Sequence, residues 1–212
     1  MRIRLLAALL AGLHLASVPA AAEEGPPLED GWYVERGACP GECCSFGRWQ
    51  VAADTPLYDR IRGQDQVGLA RNGEHVTALS GDFYAVPIPI DVVHAPQSLE
   101  AYAEGPDGGP VPLQFDLGQR IYVLTYIGEG YSWIWVAGRL AQLYTEDLYA
   151  PDGGPDGDNG WQTCDPPAED CWWRVASDLD EQPSEWWLRM RLPDGGEGWT
   201  QEYGNFTGRC RM

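Results

Sequence analysis

The stretch Trp186-Trp187-Leu188-Arg189-Met190-Arg191-Leu192, with Pro193-Asp194-Gly195-Gly196 after it and Gly198-Trp199-Thr200 beyond, decides the fold class. Bulky residues recur at every second position, the period of a half-buried strand. Trp186, Leu188, Met190 and Leu192 are expected to face a core, with Trp187, Arg189 and Arg191 on the other side. Pro pre-sets φ for the first turn position and Gly accepts positive φ later, so the two halves form a hairpin. The hairpin reads as the closing element of a small β-barrel.

The same pattern extends along the chain. Helical periodicity is almost absent after residue 22, and 26 Gly and 17 Pro separate short alternating runs. That is an all-β pattern. Strands are expected at 49–52, 67–70, 75–79, 88–93, 120–127, 132–137, 172–176, 185–192 and 199–202. Tyr131, Trp133 and Trp135 share one face, opposite Ile134 and Val136. Pro87 and Pro89 cannot donate ladder hydrogen bonds, which places the 88–93 strand at a sheet edge. Pro-Asp-Gly-Gly recurs at 106–109, 151–154 and 193–196 as a turn signal. Residues 150–170 read as irregular surface chain inside an acidic insertion of about 138–171.

Residues 1–22 carry Arg2 and Arg4, then an apolar run from Leu5 to Leu13, then Ala20-Ala21-Ala22. This is the pattern of a cleaved secretory signal, too short and too interrupted for a membrane span. A periplasmic or secreted protein is expected. Without those residues the chain keeps 12 basic side chains against 32 acidic ones and has no lysine. Such a surface repels nucleic acid and anionic lipid and suits a cationic partner, or simply keeps an exported protein soluble.

Six cysteines, Cys39, Cys43, Cys44, Cys164, Cys171 and Cys210, all lie after the signal. An even count in an exported chain reads as disulfides. Cys164 and Cys171 flank a short loop and are expected to pair. A bridge between the neighbours Cys43 and Cys44 is strained, so one pairs with Cys39 and the other reaches Cys210. A metal site built from Cys39, Cys43 and Cys44 is the alternative, though CxxC pairs and a nearby histidine are missing.

Several motifs resemble SH3 domains. Thr55-Pro56-Leu57-Tyr58-Asp59 is similar to the strand that opens them, and Asn72-Gly73-Glu74-His75-Val76 to the glycine-acid turn that follows. Phe115-Asp116-Leu117-Gly118 begins a second version of that turn. Trp186-Trp187 resembles the family's paired tryptophans, Gly195-Gly196-Glu197-Gly198-Trp199 its distal hairpin, and Tyr203 its groove tyrosine. The family's groove proline is absent, and the first copy has no Trp-Trp strand of its own. In an exported chain this resembles bacterial SH3 (SH3b) modules. After the signal peptide at 1–22 and a Cys-containing segment at 23–48, the resemblance implies one or two SH3-like barrels: a first, complete or partial, at 49–97 and one at 98–212, split by the insertion. It also implies a groove of Tyr58, Trp186, Trp187 and Tyr203 that binds cell-wall peptidoglycan or a peptide.

Catalysis is not expected. The exported part keeps His75 and His94 alone as histidines, and no nucleophile elbow, zinc-protease helix or phosphate loop occurs. Asp152, Asp156, Asp158 and Asn159 offer oxygen ligands for calcium without the EF-hand spacing, so a solvated acidic loop is the expectation. No cofactor or resident metal is implied. The sequence therefore points to a non-catalytic binding module, with an acidic inhibitor of a cationic protein such as a lysozyme as the alternative.

Overall fold

A computed structural model of the chain describes residues 24–39, 43–93, 101–105, 107, 109–144, 173–175 (backbone) and 182–208. These residues are all-β. The strands run β1 (Tyr33–Arg36), β2 (Gly47–Val51), β3 (Thr55–Tyr58), β4 (Gln66–Ala70), β5 (His75–Ala85), β6 (Ile88–Val92), β7 (Ala101–Glu104), β8 (Pro110–Pro112), β9 (Arg120–Gly128), β10 (Tyr131–Val136), β11 (Arg139–Tyr144), β12 (Trp173–Val175), β13 (Ser184–Arg191), β14 (Glu197–Thr200) and β15 (Phe206–Thr207). Their pairings are antiparallel and build two sheets.

The first sheet has the order β15-β2-β5-β13-β14-β3-β4, with β1 added beside β2 on the same edge of β5. The strand β2 ends at Val51 and β3 starts at Thr55, yet they stand far apart in this order. A three-residue link between them bends the sheet back on itself. Inside the curl lie Trp49, Leu57, Val76, Trp186, Leu188, Met190 and Phe206, all buried. Trp186, Leu188 and Met190 thus face one core, as the period of two requires.

The second sheet has the order β12-β6-β9-β10-β11-β7-β8. Its own core gathers Ile90, Ile121, Val123, Ile134, Leu143 and Phe115. The β10–β11 hairpin turns on Ala137 and Gly138, with φ of 50° and 76°. Two positive φ values in a two-residue loop match the right-handed twist of the flanking strands.

These pairings change three expectations. The hairpin at 184–200 joins β5, with Thr77 opposite Arg191 and Ala85 opposite Ser184. The division into barrels at 49–97 and 98–212 therefore does not describe the sheets: β6 belongs to the second, and the C-terminal strands belong to the first. Local sequence marks strands but not their distant partners, and here the missing Trp-Trp strand arrives from the other end of the chain. Next, the acidic insertion does not begin at about 138, because β11 places Ala141 and Leu143 in the second core. Finally, β6 is an interior strand over Ile90–Val92, flanked by β12 and β9. It meets β9 alone at Pro89, where the proline rule holds.

Cys39 and Cys44 are bridged. Cys43 is disulfide-bonded too, with its partner beyond the described residues. The thiolate trio required for a metal site is therefore not formed. Disulfides belong to oxidising, extracytoplasmic compartments. The expected Cys164–Cys171 pair, Cys210 and the Asp152–Asn159 loop lie outside the described residues. Among the described residues no helix is long and apolar enough to cross a membrane.

Candidate functional site

The four residues proposed as a groove divide between the two faces of the first sheet. Trp186 projects to the core face of β13 and is 7% exposed. After β14 the chain makes one 3-10 turn, Tyr203–Asn205, which lays the Tyr203 ring against Trp186 with centroids 5.0 Å apart. Tyr203 remains 47% exposed, and its neighbours Gln201 and Glu202 are exposed as well. This is an aromatic ledge with a polar rim. The indole packs on Gly81: a Cβ there would lie 2.6 Å from both Trp186 Nε1 and the Ala38 carbonyl oxygen. Trp186 Nε1 is buried and has no hydrogen-bond partner among the described residues.

Tyr58 follows the core residue Leu57 and so points to the opposite face, beside its cross-strand partner Trp199. Trp187 also lies on that face, but it is buried. Its indole N–H donates to Glu185 Oε2 at 3.0 Å, and Glu185 accepts from Arg62 Nε at 2.8 Å. The Arg62 guanidinium lies between two rings, 4.5 Å from the Trp32 centroid and 4.6 Å from that of Tyr84. Arg62 holds a left-handed backbone, φ 56°. The ion pair and two cation-π contacts offset that strain. Arg36 completes the cluster, donating to Asp82 Oδ2 at 2.6 Å and to the Tyr84 hydroxyl at 3.0 Å. Asp82 and Glu29 hold its guanidinium protonated and raise its pKa further. Trp187 is thus part of a closed polar-aromatic cluster, not of an open groove.

The sequence reading missed Trp32, Arg62 and Tyr84 in this cluster. No local signal marks them, since the three come from separate segments.

Residues 24–39 connect the two sheets. Trp133 on β10 donates its indole N–H to Glu35 on β1. Burial pushes the Glu35 carboxyl above its ordinary range, and the indole bond only partly offsets this. Burial, aided by the Glu35 charge, pushes the Tyr33 phenol up to about 12. Further towards the N-terminus, Trp135 Nε1 donates to the Glu24 carbonyl at 2.8 Å. Gly25 lies against Tyr122, where a Cβ would be 3.7 Å from the phenol oxygen, and Pro26 is buried. The run Gly25-Pro26-Pro27 is the signal that could have drawn attention to this segment, because prolines favour an extended, unpaired backbone.

Of the two histidines after residue 22, His75 is exposed at the start of β5 and His94 lies outside the described residues. Among the described residues no three metal-ligand side chains converge. No protein-family model matches this chain, and neither does a curated protein or a solved structure.

Proposed function

We propose that the chain is an exported, non-catalytic binding protein of SH3-like type, which takes a cell-wall glycan or a peptide on an aromatic ledge. The observation that carries this reading is the Tyr203 ring, packed at a tilt against Trp186 and 47% exposed beside a polar rim. Exposed aromatic faces next to polar groups suit sugars and peptides. The order β5, β13, β14, 3-10 turn, β15 also supports the resemblance. On this reading one SH3-like unit is assembled from residues 47–85 and 184–207. Tyr58 and Trp187 lie on the far face, so the binding surface is narrower than the four-residue groove.

Retention on purified sacculi, and on peptides released from them, tests the reading. Tyr203→Ala is expected to weaken retention about tenfold, as loss of a central aromatic contact does. Trp187→Phe is expected to leave it unchanged. Equal retention of Tyr203→Ala and wild type, or no retention of either at moderate salt, rejects it.

A second reading has its own support. Arg36, Arg60, Arg62, Arg120, Arg189 and Arg191 are each committed to an internal ion pair. Each pair cancels one base against an acid, and the chain's formal charge of −18 remains as an excess of acids. Such a field favours a cationic protein, for example a lysozyme. Binding of this kind weakens steeply as salt rises; salt-independent binding argues against charge as its driver.

A further inference from the structure

The outer face of the second sheet is aromatic and partly covered by the chain itself. Cross-strand pairing sets Pro89, Tyr122, Trp135 and Leu140 in one row over β6, β9, β10 and β11. The segment Glu24–Pro27 lies on the middle of this row. It belongs to no strand. Its contacts are of three kinds: the Glu24 carbonyl takes the Trp135 indole N–H at 2.8 Å, the Gly25 backbone lies against the phenol end of Tyr122, and Pro26 is buried. Gly25 and Pro27 remain exposed, so one ring points in while the next points out.

Each feature has a reason. Proline confines the residue before it to extended backbone, so Gly25 loses little freedom on docking. Proline brings no N–H to desolvate against an apolar face. The Glu24 carbonyl is met by the Trp135 indole donor, which fixes where the segment lies. Aromatic rings, one indole N–H and an extended segment without a ladder of its own make up the way in which polyproline-type segments are recognised. We infer that this face of the second sheet is a receptor for extended, proline-containing peptide segments of a partner protein, and that Glu24–Pro27 is its resident ligand.

The resident segment is weakly tied. The first backbone pair beyond it is Glu29 with Trp32, and Leu28 between them is exposed. Segments with few backbone bonds open at low free energy. Leu140, 37% exposed at the end of the row, extends the apolar face past Trp135. The inference does not rest on the Tyr203 ledge, which belongs to the other sheet.

The test is fluorescence anisotropy of a labelled peptide with the sequence of residues 24–29, titrated with the full-length exported protein. A tethered ligand competes at an effective concentration in the millimolar range. Pro26→Ala combined with Pro27→Ala loosens the resident segment, and the peptide is expected to bind this variant at least about tenfold more tightly than wild type. Adding Trp135→Phe, which keeps a ring and removes the N–H, is expected to abolish that gain. A peptide with both prolines replaced by alanine should bind neither. Equal affinity for wild type and the loosened variant, or equal binding of the alanine peptide, overturns the inference. A second measurement needs no variant: excess proline peptide should speed hydrogen exchange of the Glu29 amide, which the Trp32 carbonyl accepts at 2.8 Å, and unchanged exchange overturns the inference. Tyr203→Ala should leave the titration as it is, so that failure of the ledge and failure of this site are read separately.

Discussion

The two sheets solve the same packing problem with different chain economy. The second is largely a meander: β9, β10 and β11 follow one another through short turns and share one core. The first takes β2–β5 from one part of the sequence and β13–β15 from another, pairing Thr77 with Arg191. A loop of about a hundred residues costs about 2 kcal/mol more to close than one of about ten. The first sheet therefore depends on long-range burial, at Leu188, Met190 and Trp186, to hold its ends together. Where pairing is local the turn sets the register; where it is distant the core does.

The largest test of this contrast is truncation at each core. Leu188→Ala and Ile134→Ala, both at fully buried positions, should each lose about 2–5 kcal/mol in denaturant melts. Hydrogen exchange should show the Leu188→Ala loss chiefly in β5, β13 and β14, with β9–β11 better protected. A uniform loss in both sheets breaks the comparison.

Gly81→Ala comes next. The new methyl meets the Ala38 backbone carbonyl and Trp186 at 2.6 Å, and a backbone atom cannot yield as a side-chain tip can. Loss of about 1–3 kcal/mol is expected, with an altered Trp186 environment in near-UV dichroism. An unperturbed melt would mean that the cap of residues 37–39 is loosely seated.

Ala137→Asn should act in the other direction, on the local sheet. Ala137 holds φ 50° beside Gly138, and Asn tolerates that conformation better. A gain of about 1 kcal/mol in thermal or chemical melts is expected. If no gain is measured, the turn is not what sets the β10–β11 register.

The smallest effect lies where the sheets meet. The folded-state pKa of Glu35 is raised above the ordinary 4.5, so ionised Glu35 is less favourable in the folded protein than in the unfolded one. Its favourable contribution is complete below 4.5 and is lost as pH rises through the elevated folded value. Glu35→Gln, which can still accept from Trp133, should flatten that part of the pH–stability curve. It should also bring the Tyr33 phenol down from about 12, because the Glu35 charge is one of the two causes holding it there. Spectrophotometric titration of tyrosinate reads the second effect.

Much of the strand content was legible. The runs at 120–127, 132–137 and 185–192 correspond to β9, β10 and β13, because strong alternation shows a strand regardless of its partner. The strands β1, β7, β8 and β15 were not anticipated: they are two to four residues long, too short for a period to register. β11 was hidden inside the acidic region although Ala141 and Leu143 alternate with Gln142 and Tyr144. Of the candidate site, the resemblance placed Trp186 and Tyr203 in one groove with Tyr58 and Trp187, without saying which rings touch. That Trp187 faces away from Trp186 follows from alternation along one strand; that Tyr58 joins the far face needed the pairing of β3 with β14.

The sequence by itself determined the kind of structure: pleated strands, the alternation of their side chains, the turn at Pro193-Asp194-Gly195-Gly196 and a local bridge from Cys39. Tertiary structure alone decided which strands join, that residues 184–207 complete the sheet begun at 47, and that Gly25-Pro26-Pro27 lies across Tyr122 and Trp135. The reason is that side-chain alternation is written along the chain, whereas backbone hydrogen bonds are the same for every strand. Partners are chosen only when whole faces are buried together.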